Sequence, residues 1–425
     1  MKSSPVTSYL QSRAIQGPWR IAGCDGHGFD GAIVIPSLAE SERLFATLAT
    51  LAANPAELLA RFIVLVVVNH REDAPQSDKE DNRRTLARLA AAASDFPSLN
   101  LARVDAASAG LEMPARGGGV GLARKIDLAL TRLDHEAVVA LLVCLDADTL
   151  VEPSYLPALV RHFRETRAGG AAIPFRHQRG GTPEEQRAID RYELFLRHYV
   201  LGLGLAGSPY AFHTVGSAMA ATSAAYVRSG GMNTRTAGED FYFLQHLSKT
   251  AGVSRVAGTT VHPSPRASHR VPFGTGRSVS RWLAGDGEAI TFYRPECFRI
   301  LGKWLGLVPH GLDSTAGEIM AEARHISPHL PEYLESVRFP ETWQGLRRNH
   351  PVPERRLSAF HGWFDGLRTM KLVHHLSARG LPRCGPEEVL PELLGMAGGG
   401  LAEGVGAQLE LLREMEEGDA CFPLK

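Results

Sequence analysis

Apolar positions in the first third of the chain alternate between two rhythms. Residues 32–36 are a short apolar run that reaches Pro36, after which Leu38, Leu44, Leu48 and Leu51 recur among polar residues at helical spacing. Residues 62–68 are continuously apolar and rich in β-branched side chains, which predicts a strand buried on both faces. Residues 84–93 predict a helix, residues 99–104 a short strand, and residues 117–121 a glycine-rich loop. A helix presenting Leu122, Ile126, Leu130 and Leu133 on one face should follow, and residues 137–145 read as another unbroken strand. This βαβα order predicts an α/β fold with a mostly parallel sheet and helices on both sides. Ligands of such sheets sit beyond the carboxyl ends of the strands, so chemistry is expected just after the apolar runs.

From about residue 311 the pattern changes to helices alone. Leu357, Phe360, Phe364 and Leu367 mark an amphipathic helix ending before Gly380 and Pro382, with the phenylalanines as core. Residues 391–396, opening with a proline suited to a first helical position, and residues 409–415 predict two more. The expected organisation is an N-terminal segment over residues 1–30, an α/β domain over 31–300 and a helical appendage over 301–425.

Composition narrows the function classes. The 425 residues carry 46 Lys and Arg against 46 Asp and Glu, and this zero net charge argues against a nucleic-acid binder. Cys24, Cys144, Cys297, Cys384 and Cys421 are scattered without metal-ligand or redox spacing, consistent with a reducing cytoplasm. Residues 1–19 lack the apolar stretch of a signal peptide, and no run approaches the ~20 apolar residues of a membrane span. A soluble, cytoplasmic protein is expected, with peripheral membrane contact left open.

Two acidic pairs carry the candidate chemistry. Asp146, Ala147 and Asp148 close the most apolar strand, and residues i and i+2 of a strand share a face. Two carboxylates so placed suit Mg²⁺ or Mn²⁺, which share coordination with substrate phosphates. Taken alone, the pair reads equally well as turn or helix caps. Glu239 and Asp240 follow Gly238 and open a helical run, where acids also complement the helix dipole. Residues 262–281 concentrate phosphate-binding types, including His262, Arg266, His269, Arg270 and Arg277 around Gly274 and Gly276. The glycines at 117–121 give no G-x-G-x-x-G register, and His374 with His375 reads as surface.

In this order, five segments over residues 30–261 resemble glycosyltransferase family 2, whose members have the GT-A fold. "AIVIPSLAE" (32–40) is similar to the family's opening strand, proline and acidic residue, and "GLARKIDLAL" (121–130) to its glycine–alanine–arginine segment near the donor. "CLDADT" (144–149) resembles its Asp-x-Asp metal motif. "YVRSGGMN" (226–233) and "AGEDFYFLQHL" (237–247) resemble its acceptor-side glycine pair and Glu-Asp motif.

The resemblance implies a sugar transferase using a nucleotide-diphosphate sugar, a hydroxyl acceptor and Mg²⁺ or Mn²⁺. Asp148 would be the direct metal ligand, Asp146 would lie nearer the nucleoside, and His262 would be a further ligand. Pro36, Glu40, Asn69, Arg124, Lys125, Arg266 and Arg270 would face the donor. Gly230, Gly231 and Glu239 would face the acceptor, and Asp240 would be the general base of an inverting displacement. Residues 262–281 would be the loop that closes over the donor.

Two departures matter. The second strand ends in Asn69 and His70 where relatives often carry paired aspartates, and Asn69 can still hydrogen-bond a base edge. Ser278 stands where processive relatives have glutamine before Arg281 and Trp282, which argues against polymer synthesis. The rival readings are a retaining transferase, a sugar-phosphate nucleotidyltransferase, or a silent sugar-nucleotide-binding scaffold.

Overall fold

The computed structural model of the chain describes residues 4–92, 94–125, 127–137, 139–266, 274–286, 290–400 and 402–418. They pack into two compact units, one drawn from Met1–Thr182 and Thr214–Arg277, the other from Pro183–His213 and Ser278–Lys425. The chain therefore leaves the first unit at Thr182 and re-enters it at Thr214, where the sequence pattern drew one boundary at residue 300.

The first unit holds all named strands: β1 (Ile21–Ala22), β2 (Gly31–Ser37), β3 (Phe62–Asn69), β4 (Asn100–Ala106), β5 (Leu141–Cys144), β6 (Leu150–Val151), β7 (Gly170–Ala172), β8 (Met219–Thr222), β9 (Val253–Arg255) and β10 (Val261–His262). Eight of them form one sheet in the order β1-β4-β3-β2-β5-β8-β7-β9, while β6 and β10 pair separately. β4, β3, β2 and β5 are parallel, β8 runs antiparallel to β5 and β7, and β1 is an antiparallel edge. All eight residues of β3 are buried, as its unbroken apolar run requires. The α/β expectation of a mostly parallel sheet flanked by helices thus describes the first unit.

The helix expected to carry Leu122, Leu130 and Leu133 is two short pieces, Val120–Arg124 and a 3-10 turn over Asp127–Arg132. The three leucines are buried as expected, and Ile126 lies outside the described residues. Asp127, which starts the second piece, has its carboxylate drawn inward to accept hydrogen bonds from Tyr9, Tyr226 and the Ile15 amide.

The second unit is helical, and it includes Pro183–Leu205, the longest described helix, which the apolar pattern did not announce. Its core centres on Trp304, whose ring meets Phe339, Phe360 and Phe364 edge-on at 5.2–5.8 Å. The single helix expected from Leu357 to Leu367 is two, Pro353–Trp363 and Gly366–Ala378. Asp365 accounts for the break, because its side chain accepts the Arg368 amide at 3.1 Å as an N-cap. Pro391 sits inside Pro386–Met396, and Pro386 takes the first-turn position instead.

Candidate active site at the carboxyl ends of the strands

The chain turns sharply after β5, with Leu145 N–H donating to Val34 C=O at 3.2 Å and Thr149 N–H to Asp146 C=O at 3.1 Å. Side chains from other elements pin this turn: Thr47 Oγ1 donates to Ala147 C=O at 2.9 Å and Gln178 Nε2 to Asp148 C=O at 2.8 Å. The two carboxylates, expected to share one face, are held by different guanidinium groups. Asp146 accepts from Arg124 Nη2 at 2.6 Å, and Asp148 from Arg266 Nε at 3.1 Å.

Arg124 is the hub. Its side chain is 4% exposed, and besides Asp146 it donates from Nε to Glu239 Oε1 at 3.0 Å and from Nη1 to Gly216 C=O. A Cβ added to Gly216 would stand 2.4 Å from Nη2, so only glycine lets the backbone approach this close. A single buried cation therefore joins the strand-end pair to the helix-start pair.

Glu239 and Asp240 begin the helix Glu239–Ala251, entered through Gly238 at φ 70°. Asn233 Nδ2 donates to Glu239 C=O at 2.9 Å and fixes the approach. Asp240 is half-buried and accepts the Phe241 amide at 2.7 Å. Burial, then the Glu239 charge, pushes its pKa up to about 7. Burial also raises the Glu239 carboxyl, against the pull of Arg124.

Gly230 and Gly231 both have positive φ, 87° and 76°. Gly231 packs on Tyr9 and Lys125: a Cβ there would lie 2.0 Å from Tyr9 Oη and 3.0 Å from Lys125 Nζ. Lys125, expected at the donor, is engaged in this inner cluster, donating to Tyr9 Oη at 2.9 Å with Asp127 at 3.8 Å. The N-terminal helix Pro5–Ser12 thereby backs the glycine pair.

On the other side of the turn, Arg266 bridges Asp148 and Glu40. The loop carrying Glu40 is shaped by the helix Gln76–Ala91: Asn82 Oδ1 accepts from the amide of Ala39, which has φ 53°, and Asp81 accepts from Ser41. Asn82 also donates to Asn69 C=O at 2.9 Å and meets His70 Nδ1 at 3.0 Å, so one buried amide ties the ends of β2 and β3. Pro36 lies in β2 opposite Val67. Ser37 Oγ and Asn69 Oδ1, at those strand ends, are buried without a hydrogen-bond partner among the described residues. Buried polar groups are ordinarily paired, with protein, water or ligand.

His262 lies on β10 opposite Leu150 of β6. Its Nδ1 is 3.0 Å from Arg176 C=O, and its Nε2 is 3.6 Å from Glu152 Oε1. Arg270 and His269 lie outside the described residues. Among the described residues no three His, Cys, Asp or Glu side chains converge as a self-sufficient metal site. Asp146 and Asp148 offer the hard oxygens that Mg²⁺ or Mn²⁺ take together with substrate phosphates, but each is paired here with an arginine. Sequence reasoning missed Asn82, Gln178 and Thr47, because a buried amide or hydroxyl that clamps backbone has no motif of its own.

A cavity of about 280 Å³ lined by Asp30, Arg61, Asp134, Glu136 and Arg164 lies at the opposite, amino ends of β2, β3 and β5 and contains none of these residues. No described helix is long and apolar enough to cross a membrane.

No protein-family profile matches the chain, and no curated protein matches it in sequence. Among solved structures, TarS 1-349 of S. aureus in complex with UDP-GlcNAc is similar at 12% identity, TM-score 0.39, over 82% of this chain and 91% of that one. The same TarS fragment with UDP is similar at 13% identity, TM-score 0.37, over 55% of this chain and 60% of that one. Mannosyltransferase PcManGT from Pyrobaculum calidifontis, in complex with GDP-Man and Mn²⁺, is similar at 16% identity, TM-score 0.38, over 98% and 95%. At such identities and TM-scores the likeness decides neither family nor activity.

Proposed function

We propose that the chain is an inverting glycosyltransferase that moves a sugar from a nucleotide-diphosphate donor to an acceptor hydroxyl. The observation that carries this reading is the Arg124 bridge, which holds Asp146 and Glu239 at once beside a carboxyl, Asp240, poised near neutrality. A hydroxyl is a poor nucleophile near neutral pH, so a base whose pKa is close to 7 suits the task.

Asp240 takes the acceptor proton as the acceptor oxygen bonds to the anomeric carbon. The carbon–oxygen bond to the diphosphate breaks on the opposite face, and configuration inverts. Glu239 orients the acceptor, with Gly230 and Gly231 beside it. Asp148 would hold Mg²⁺ or Mn²⁺ with Asp146 and His262, and the bound ion would supply Lewis-acid stabilisation of the leaving diphosphate. Arg266, poised between Glu40 and Asp148, moves to the phosphates when donor binds, and Arg270 joins it. Pro36, Glu40 and Asn69 line the nucleoside side. Arg124 holds the acids in register, and Lys125 supports the wall behind Gly231.

Two variants test the assignment. Asp240→Asn keeps the size of the side chain but cannot accept a proton, so turnover should fall by about 10²–10⁴ with donor binding retained. Asp148→Ala should lose both turnover and metal-dependent nucleotide binding. If Asp240→Asn turns over normally, the base is elsewhere; if the wild-type product keeps the donor's anomeric configuration, the inverting mechanism is wrong.

A further inference from the structure

Residues 119–125 and the loop at 231–239 meet along their length. A Cβ added to Gly119 would lie 3.2 Å from Thr236 Cα, and one added to Gly121 only 2.8 Å from Asn233 C=O and closer still to Arg235 C=O. Arg124 Nε reaches Glu239 Oε1 at 3.0 Å, and Lys125 Nζ packs against Gly231. Gly121 and Arg124 are three residues apart in the helix Val120–Arg124, so they share the face that the loop covers. The loop carries the contact onward. Asn233 Oδ1 accepts the Arg235 amide at 3.1 Å, Asn233 Nδ2 donates to Glu239 C=O at 2.9 Å, and the Arg235 guanidinium lies 3.9 Å over the Tyr242 ring. At Gly121 backbone packs directly on backbone, and the links from it end at the helix start that bears Asp240.

We infer that Gly121 is a positioning residue: by letting Val120–Arg124 lie on the backbone of residues 233–235, it sets where Asp240 stands relative to the acceptor. This rests on the reading of Asp240 as the base. A methyl at Gly121 would meet main-chain carbonyls, which no change of rotamer relieves, so one of the two segments must move. Thr234, Arg235 and Thr236 are exposed while Leu122, Ala123 and Arg124 are buried, so the loop is the side that yields. A displacement of about 1 Å at reacting groups costs about 10²-fold in rate. Alanine is by backbone propensity the better residue inside a helix, so a loss in Gly121→Ala comes from this contact.

The test compares wild-type protein, Gly121→Ala, Asn233→Ala and Asp240→Asn on a panel of UDP- and GDP-sugars. It reads release of the nucleoside diphosphate and, by calorimetry, binding of UDP and GDP. Gly121→Ala should lower kcat by about 10²-fold with donor KM and nucleotide affinity unchanged, because the loop that moves carries the base and not the nucleoside contacts. Asn233→Ala cuts the link to Glu239 without filling the seat. It should lower kcat in the same way, and it stays informative should Gly121→Ala fail to fold. A folded Gly121→Ala or Asn233→Ala with wild-type kcat overturns the inference, because a merely structural role lowers the melting temperature and leaves turnover of the folded protein alone. Loss of nucleotide affinity in step with kcat overturns it as well, since the seat would then serve the donor. Asp240→Asn that turns over like the wild type overturns the base reading itself, whatever Gly121→Ala does.

Discussion

Arg124 is enclosed by Asp146, Glu239 and the Gly216 carbonyl, so its position tolerates little change. Gly216→Ala would drive a methyl into the guanidinium, and overpacking of this kind costs roughly 1–3 kcal/mol. Turnover should fall with it, since the bridge between the acidic pairs shifts; thermal melts and kcat on one preparation check both. Arg124→Lys keeps the charge but loses the planar fork, so it should not restore activity. Asp240 supplies a pH prediction. Only its ionised form accepts a proton, and burial with the Glu239 charge holds the proton on up to about pH 7. The rate should therefore fall tenfold per unit below that midpoint and level off above it. Glu239→Gln removes the neighbouring negative charge, so in whatever activity remains the acid limb should move to lower pH. A pH profile of kcat/KM that stays flat through 7 would remove Asp240 from the base role.

Among elements, the second unit hides an ionic cluster that joins its first helix to its last described one. Arg197 pairs with Glu193 on Pro183–Leu205 and with Glu416 on Gly404–Glu417, while Arg413 returns to Glu193 at 2.7 Å and His213 reaches Glu416. The Arg197 and Glu193 side chains are 3% and 1% exposed. Arg197→Ala leaves Glu193 to Arg413 and Glu416 to His213, so it should destabilise the protein in denaturant titration, by less than the about 3–5 kcal/mol of a fully stranded buried charge. An apolar residue of similar volume at Arg197 restores packing but not the lost ion pairs, and is not expected to rescue it fully. The cap at Asp365 is a smaller effect: Asp365→Ala should cost about 1 kcal/mol by the same measurement.

For the whole molecule, 46 acidic residues balance 46 basic ones, so net charge supplies no long-range attraction for an anionic ligand. On the proposed reading, recognition then comes from close contacts at the strand ends and from the proposed metal. A panel of nucleotide sugars with Mn²⁺ should stabilise the fold by mass action, about 2.7 kcal/mol at a hundredfold excess over Kd, and EDTA should abolish the shift. Duplex DNA should give none. A donor that stabilises equally in EDTA would contradict the metal reading while leaving the transferase reading standing.

Much of this was legible in the residues themselves. Unbroken apolar runs such as 62–68 can satisfy their backbone only inside a sheet, so β3 and its helical neighbours followed from pattern alone. The acidic pairs were visible because strand ends and helix starts are where carboxylates can point at ligand. Local pattern failed where a distant side chain decided the outcome. Asp127 turns its carboxylate to Tyr9 and Tyr226, far along the chain, whereas the cap at Asp365 is local, its carboxylate taking the Arg368 amide as a new helix starts. Tertiary structure alone removed Lys125 to Tyr9, set one guanidinium between Asp146 and Glu239, and placed Gln178 across two carbonyls. Those contacts join residues far apart in the chain. Periodicity reports which face of an element is buried, and only folding decides which buried polar group meets which.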